Sequence, residues 1–284
     1  MLPTASFALQ PELPLLATVL GACVGSFLNV VAWRLPRQES VVRPPSHCPR
    51  CGTRLQWFEN VPVLGWLLLR GRCRHCHSPI SLRYPAVELL CAGLFVAAAG
   101  GASTALGAPA LPLLLLAGWL LVSLLLPLIL IDLDHLWLPE PLCRWGVVAG
   151  LAITAIAGFS QGDALGRSLL LWHLLAACAG LVGFERTSAI AEKLLGKPAL
   201  GLGDAKLAAL LGAWLGLTGL GLTVLLAVFS GALFGVVGLI SGRLKRGQPF
   251  PFGPFLAGGG LAVWCAGNSF WLEQLSSWLG WSSL

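Results

Sequence analysis

Charge is what this sequence has least of. Asp, Glu, Lys and Arg together make up 11% of its 284 residues, whereas an ordinary soluble domain carries roughly 25%, so a water-soluble globular protein is excluded. Three further absences narrow the field. No basic stripe with interleaved aromatic residues runs along the chain, so the formal charge of +6 is not the footprint of nucleic-acid binding. No internal repeat is evident, which weighs against a transporter built from related halves around broken helices. No Lys or Arg precedes Leu20-Gly21-Ala22-Cys23, and a secretory signal needs a positively charged start. This lipoprotein-like tetrapeptide is therefore read as part of a retained helix.

What is abundant is apolar, at 56% of residues. Stretches suited to a ~30 Å hydrocarbon core, which takes about 20 helical residues to cross, fall near residues 13–33, 85–101, 111–131, 142–159, 165–184, 207–220, 223–240 and 252–271. The expected fold is an all-α polytopic membrane protein of about eight transmembrane helices. Its least marked boundary is Leu217-Thr218-Gly219-Leu220-Gly221, which divides a short sixth helix from the seventh. Basic residues favour cytoplasmic loops, and an N-terminus outside puts 17 of the 18 Lys and Arg residues inside, with Arg167 the exception. Arg246 is among those placed inside. Membrane lipid is thus an expected partner and nucleic acid is not.

The Arg-rich stretch after the first helix carries Cys48-Pro49-Arg50-Cys51 and, after 21 intervening residues, Cys73-Arg74-His75-Cys76. Two C-x-x-C knuckles so separated fit a tetrahedral four-thiolate zinc site, which closes a domain too small to be held by its own core. The competing readings are disulfides, which a cytoplasmic location disfavours, and a redox pair, which needs no second copy. A closed thiolate site leaves no coordination position for water, so the zinc is expected to be structural. His47, His75 and His77 read as solvated surface rather than as ligands, and the other five Cys as small packing residues. The chain divides into an N-terminal helix (1–33), a cytoplasmic zinc-binding domain (34–83) and a seven-helix membrane core (84–284). Between the knuckles, residues 57–69 are unusually apolar. They read either as a segment lying on the bilayer, anchored by Trp57 and Trp66, or as the core of the small domain.

Two carboxylates stand out at the ends of apolar runs. Asp132 closes one, and Asp204 opens another within Gly201-Leu202-Gly203-Asp204-Ala205-Lys206. A carboxylate near bilayer depth is costly and therefore a functional candidate. Asp204 also suits an N-cap, but its glycine frame permits close approach of another chain, and Lys206 adds a charge that a cap does not require. Asp132 lies at a helix C-terminus, where the dipole disfavours an anion. The two positions together suggest an aspartyl dyad, with Asp204 the base and Asp132 the acid.

These residues carry a family resemblance. Gly25-Ser26-Phe27-Leu28-Asn29 with Arg34-Leu35-Pro36, the two knuckles, Arg83-Tyr84-Pro85 with Glu88, the Asp132 segment through Leu138-Pro139, the Gly201 to Lys206 motif and Pro251-Phe252-Gly253-Pro254 stand in the order seen in type IV prepilin leader peptidases. The chain resembles these bacterial membrane aspartic proteases over most of its length. The resemblance implies that Asp132 and Asp204 are the catalytic pair, with Asp134 a nearby supporting carboxylate. It implies prepilin and pseudopilin substrates, cut at the cytoplasmic face of the inner membrane, and methylation of the new N-terminus from S-adenosylmethionine. Glu88 and the Gly25 to Asn29 helix are candidates for the methylation site, beside packing readings of both. The family usually has Asp or Asn where this chain has Glu140. Two rival classes remain: a transporter with an acidic pair, against which stand the missing repeat and aspartates at helix ends rather than centres, and a non-catalytic scaffold with a docking module, which leaves the glycine-framed Asp204 without a purpose.

Overall fold

The computed structural model describes residues 12–105, 111–196, 201–245 and 248–280. Arg246, one of the basic residues expected inside, lies outside the described residues, as do the ends of the N-terminal and membrane-core segments. The regular elements are helices: α1 (Glu12–Arg34), α2 (Leu64–Leu68), α3 (Arg83–Ala105), α4 (Leu111–His135), α5 (Glu140–Phe159), α6 (Asp163–Leu195), α7 (Leu202–Ile240) and α8 (Gly253–Trp278). Among the described residues the only β-pairing is two isolated bridges, His47 with Arg54 and Arg72 with Pro79, one closing each Cys knuckle. Among the described residues six helices, α1 and α3 to α7, are long and apolar enough to cross a membrane.

The expected sixth and seventh helices are the two arms of α7. They part at Gly216 (φ 67°, ψ −174°), upstream of the expected 217–221 boundary. The sequence offers Gly216, Gly219 and Gly221 as alternatives, and contacts from α6 select among them. A break strands backbone carbonyls in a medium without water, and His173 of α6 answers this by donating from Nδ1 to the Ala213 carbonyl at 3.0 Å. Gly219 stays helical, its carbonyl accepting from the Thr223 hydroxyl at 2.8 Å. At about 1.5 Å per residue the arm from 202 to 215 is roughly 21 Å long, shorter than the ~30 Å hydrocarbon core.

Small residues draw the helices together where apolar burial alone gives little drive in lipid. On α1, a Cβ added at Gly21 or Gly25 would lie 2.8 Å from Ala92 Cα or Cys91 Cβ of α3. On the α6–α7 seam, a Cβ at Gly180 would lie 2.7 Å from the Ala208 carbonyl, and one at Gly212 would lie 2.5 Å from that of Ala176. The centre of the bundle is aliphatic. Leu121, Leu125, Leu126, Leu128 and Ile131 of α4 are fully buried, as are Leu207, Leu210 and Leu211 of α7 and Leu256 of α8. This packing brings the end of α4 and the starts of α7 and α8 to one end of the bundle, and both aspartates lie there.

Candidate active site

Asp132 lies in the last turn of α4, where its carbonyl accepts from the Leu136 N–H at 2.9 Å. Leu136 takes a positive φ of 51° and turns the chain out of the helix, and Leu138 then folds back under it. The buried Leu138 side chain wedges between two glycines: its Cβ lies 3.0 Å from the Cβ position of Gly203, and its Cδ2 lies 3.4 Å from that of Gly253. A side chain at Gly203 would press on the wedge, and one at Gly253 would meet the Asp132 carboxylate first, at 2.6 Å. Leu138 thereby sets the starts of α7 and α8 beside the end of α4.

The carboxylates themselves are nearly sealed, Asp132 being 5% and Asp204 9% exposed. Asp204 Oδ2 accepts from the Gly201 N–H at 3.1 Å; Gly201, not Asp204 as expected, is the N-cap of α7, and Asp204 bonds back to it from the third helical position. Asp132 Oδ2 accepts from the Gly253 N–H at 3.0 Å, so its carboxylate caps α8 rather than facing the negative end of α4. Contrary to the expectation from sequence, the helix dipoles do not set the two aspartates apart. Each accepts one backbone N–H at the positive end of a helix, and the dipoles do not decide which is acid and which is base. The helix starts that carry these two contacts meet on the same Leu138 side chain.

Two exposed ion pairs flank this centre. Arg83, the first residue of α3, holds Asp134 at 2.7 Å and reaches the Leu130 carbonyl at 3.5 Å. Lys206 holds Glu140 at 2.9 Å. Asp134 and Lys206 are thus each engaged by a partner beside the two aspartates, and Glu140 is the partner of Lys206. Arg83, Glu140, Leu138 and the Gly253 amide have no local chemical signature, because each acts through a residue distant in sequence.

The four knuckle sulfurs, of Cys48, Cys51, Cys73 and Cys76, lie within 4.8 Å of one another. The two knuckles repeat one geometry. Cys48 N–H donates to the Thr53 carbonyl and Cys73 N–H to that of Ser78, both at 2.9 Å, and the residue after each second Cys, Gly52 or His77, has positive φ. The Cys51 backbone N–H directed at the Cys48 sulfur lowers that thiol to about 6, and the Ser78 hydroxyl lowers that of Cys76. Such a donor set fits a divalent metal bound by thiolates. His47, His75 and His77 lie exposed outside it. Of the methylation candidates, buried Glu88 accepts from the Val63 N–H at 2.7 Å, while Asn29 donates to the carbonyls of Gly25 and Tyr84 at 3.3 Å. Both make packing contacts.

Residues 19–100 match the family model of the bacterial peptidase A24 N-terminal domain, and residues 119–236 match that of the type IV leader peptidase family. A prepilin leader peptidase/N-methyltransferase of Burkholderia pseudomallei (strain 1026b) is 39% identical, with 95% of this chain and 91% of the relative covered. One from Neisseria gonorrhoeae is 34% identical over 95% of this chain and 96% of the relative. A third, from Myxococcus xanthus, is 43% identical over 78% of this chain, which spans 62% of that longer relative. No solved structure matches.

Proposed function

This chain belongs to the type IV leader peptidase family, and from that premise we propose that Asp132 and Asp204 are the catalytic pair of a peptidase that removes the leaders of prepilins and type II secretion pseudopilins. The observation that carries the reading is their convergence: two nearly sealed carboxylates from α4 and α7, each on a backbone N–H, at one end of the bundle. A pair of this kind holds one proton between its members. A water placed between them gives a proton to the ionised carboxylate as its oxygen attacks the scissile carbonyl. The protonated partner hydrogen-bonds the developing oxyanion. Collapse breaks the C–N bond, and the departing amine takes the proton gained from water. Leu138 and the two glycines around it hold the pair, and the aliphatic core beneath keeps bulk water out.

The basic residues favour an N-terminus outside and the catalytic end inside, so cleavage occurs at the cytoplasmic face of the inner membrane. We assign the four Cys to a structural zinc ion, whose closed thiolate shell organises residues 34–83 and leaves the hydrolytic step to the carboxylates. Residues 84–284 form the peptidase core. The relatives' second activity is carried over with S-adenosylmethionine as the methyl donor to the new N-terminal amine.

The test is incubation of the purified full chain with a prepilin, with and without labelled S-adenosylmethionine, followed by mass analysis. A product lacking its leader supports the peptidase, and a labelled methyl on its N-terminus supports the second activity. An intact precursor in the presence of folded, zinc-loaded protein contradicts the reading.

A further inference from the structure

The apolar stretch between the knuckles does not form the core of the small domain. Trp66 does turn inward, its indole N–H donating to the Ile80 carbonyl at 3.1 Å and its ring leaving 2.7 Å to the Cβ position of Gly71. Gly65 is buried against the Glu59 backbone. The rest of α2 points the other way. Leu64, Leu67 and Leu68 occupy positions i, i+3 and i+4, one face of a helix, and all three are exposed, Leu68 at 74%; Trp57 is 80% exposed.

This face is fixed in place. Val63, just before α2, has φ 61° and ψ −51°, and the Leu64 N–H reaches the Pro62 carbonyl at 2.6 Å, forming a tight γ-turn, a conformation that is rare and strained. The turn aims the Val63 N–H at the Glu88 carboxylate of α3. Glu88 is five residues beyond Arg83, where α3 begins, which is about 7.5 Å along the axis at 1.5 Å per residue. The start of α2 is therefore tied to a point inside the membrane-crossing span, Arg83–Gly100. Leu82, Tyr84, Leu89 and Leu90 on and beside α3 are also exposed, and exposed Arg70 and Arg72 follow α2 directly.

We propose that α2 and Trp57 lie in the cytoplasmic leaflet, with lipid covering Leu64, Leu67, Leu68 and Trp57 while Arg70 and Arg72 meet anionic headgroups. Three features favour lipid over a protein partner: the depth fixed by Glu88, continuity with the lipid-facing surface of α3, and the basic residues at the water side. The knuckle domain is then held against the bilayer at two points, α2 and the start of α3. The second of these carries Arg83, which grips Asp134 two residues from Asp132. This inference stands independently of the catalytic reading.

The test uses the zinc-loaded full chain in nanodiscs of phosphatidylcholine and phosphatidylglycerol containing a phosphatidylcholine with a diazirine in its acyl chain. Illumination and peptide mapping should place lipid adducts on Trp57 and residues 64–68, as on the exposed Leu116 and Leu120 of α4, and none on His47 or His75. The variant Leu67→Glu/Leu68→Glu should lose the Trp57 adduct while keeping its zinc. Adducts on α4 without any at 57 or 64–68 would overturn the proposal. So would survival of the Trp57 adduct in the variant, or labelling of residues 64–68 only by a water-borne carbene. A protein cross-link at this face in place of lipid would instead assign it to a second copy or to substrate.

Discussion

The backbone N–H of Gly253 donates to the carboxylate of Asp132 at 3.0 Å, in a buried contact that joins residues 121 positions apart. It joins the start of α8 to the end of the bundle that holds both aspartates, and a Cβ at 253 would lie 2.6 Å from Asp132 Oδ2.

Gly253→Ala should therefore displace the carboxylate while leaving the four-Cys cluster intact. A misplacement approaching 1 Å in a catalytic constellation lowers turnover on the order of 10²-fold. Kinetics on a prepilin should show the loss in kcat with KM nearly unchanged. Zinc content and methylation of an already processed N-terminus should persist, and loss of both would instead indicate a fold defect.

The flanking ion pairs should matter much less. Both are substantially exposed, and such pairs contribute roughly 0–1 kcal/mol. Asp134→Asn and Lys206→Gln should each keep prepilin cleavage within about tenfold of the parent, an effect of the same order. A loss as deep as that of the Asp132→Asn variant would place either residue inside the catalytic machinery.

Metal analysis should find one zinc per chain, and Cys48→Ser or Cys73→Ser should lose it. Because the thiolate shell is closed, the expected damage is structural: faster proteolytic cutting within residues 34–83, with the helical core retained. Addition of a chelator to zinc-loaded enzyme should follow the same course, with cleavage declining only as the domain unfolds.

The α6–α7 seam should tolerate no added methyl group at Gly212, where a Cβ would meet the Ala176 carbonyl at 2.5 Å. Overpacking of this kind costs about 1–3 kcal/mol. Gly212→Ala should lower the thermal unfolding midpoint in detergent, whereas alanine at Gly93, which has open space, should leave it nearly unchanged.

Local patterns carried the parts of the molecule that local residues determine. The apolar runs, the paired knuckles and the glycine-framed Asp204 were all legible because each is held within a few residues. Asp132 was legible as a candidate but not in its surroundings, because the helix end that it faces belongs to α8 and is reached only through the packing of Leu138. The division of α7 was misplaced for the same reason: several glycines permit a break, and His173 on another helix determines which one takes it. The role of Glu140 is equally non-local, since its partner Lys206 lies beyond the α5–α6 hairpin, near the start of α7. Residues 57–69 were ambiguous between core and membrane because composition records how much is apolar, not which face Trp66 turns inward.

The central claim, that Asp132 and Asp204 act as one unit, is tested most directly by prepilin cleavage with Asp132→Asn, Asp204→Asn and the double variant. Residues that share one proton and one water fail together, as catalytic groups acting as a unit do. Each single variant should lose on the order of 10³-fold or more in kcat, and the double variant should be no worse than either. Near-normal cleavage by either single variant, or a double variant whose loss is the product of the two, would contradict the dyad.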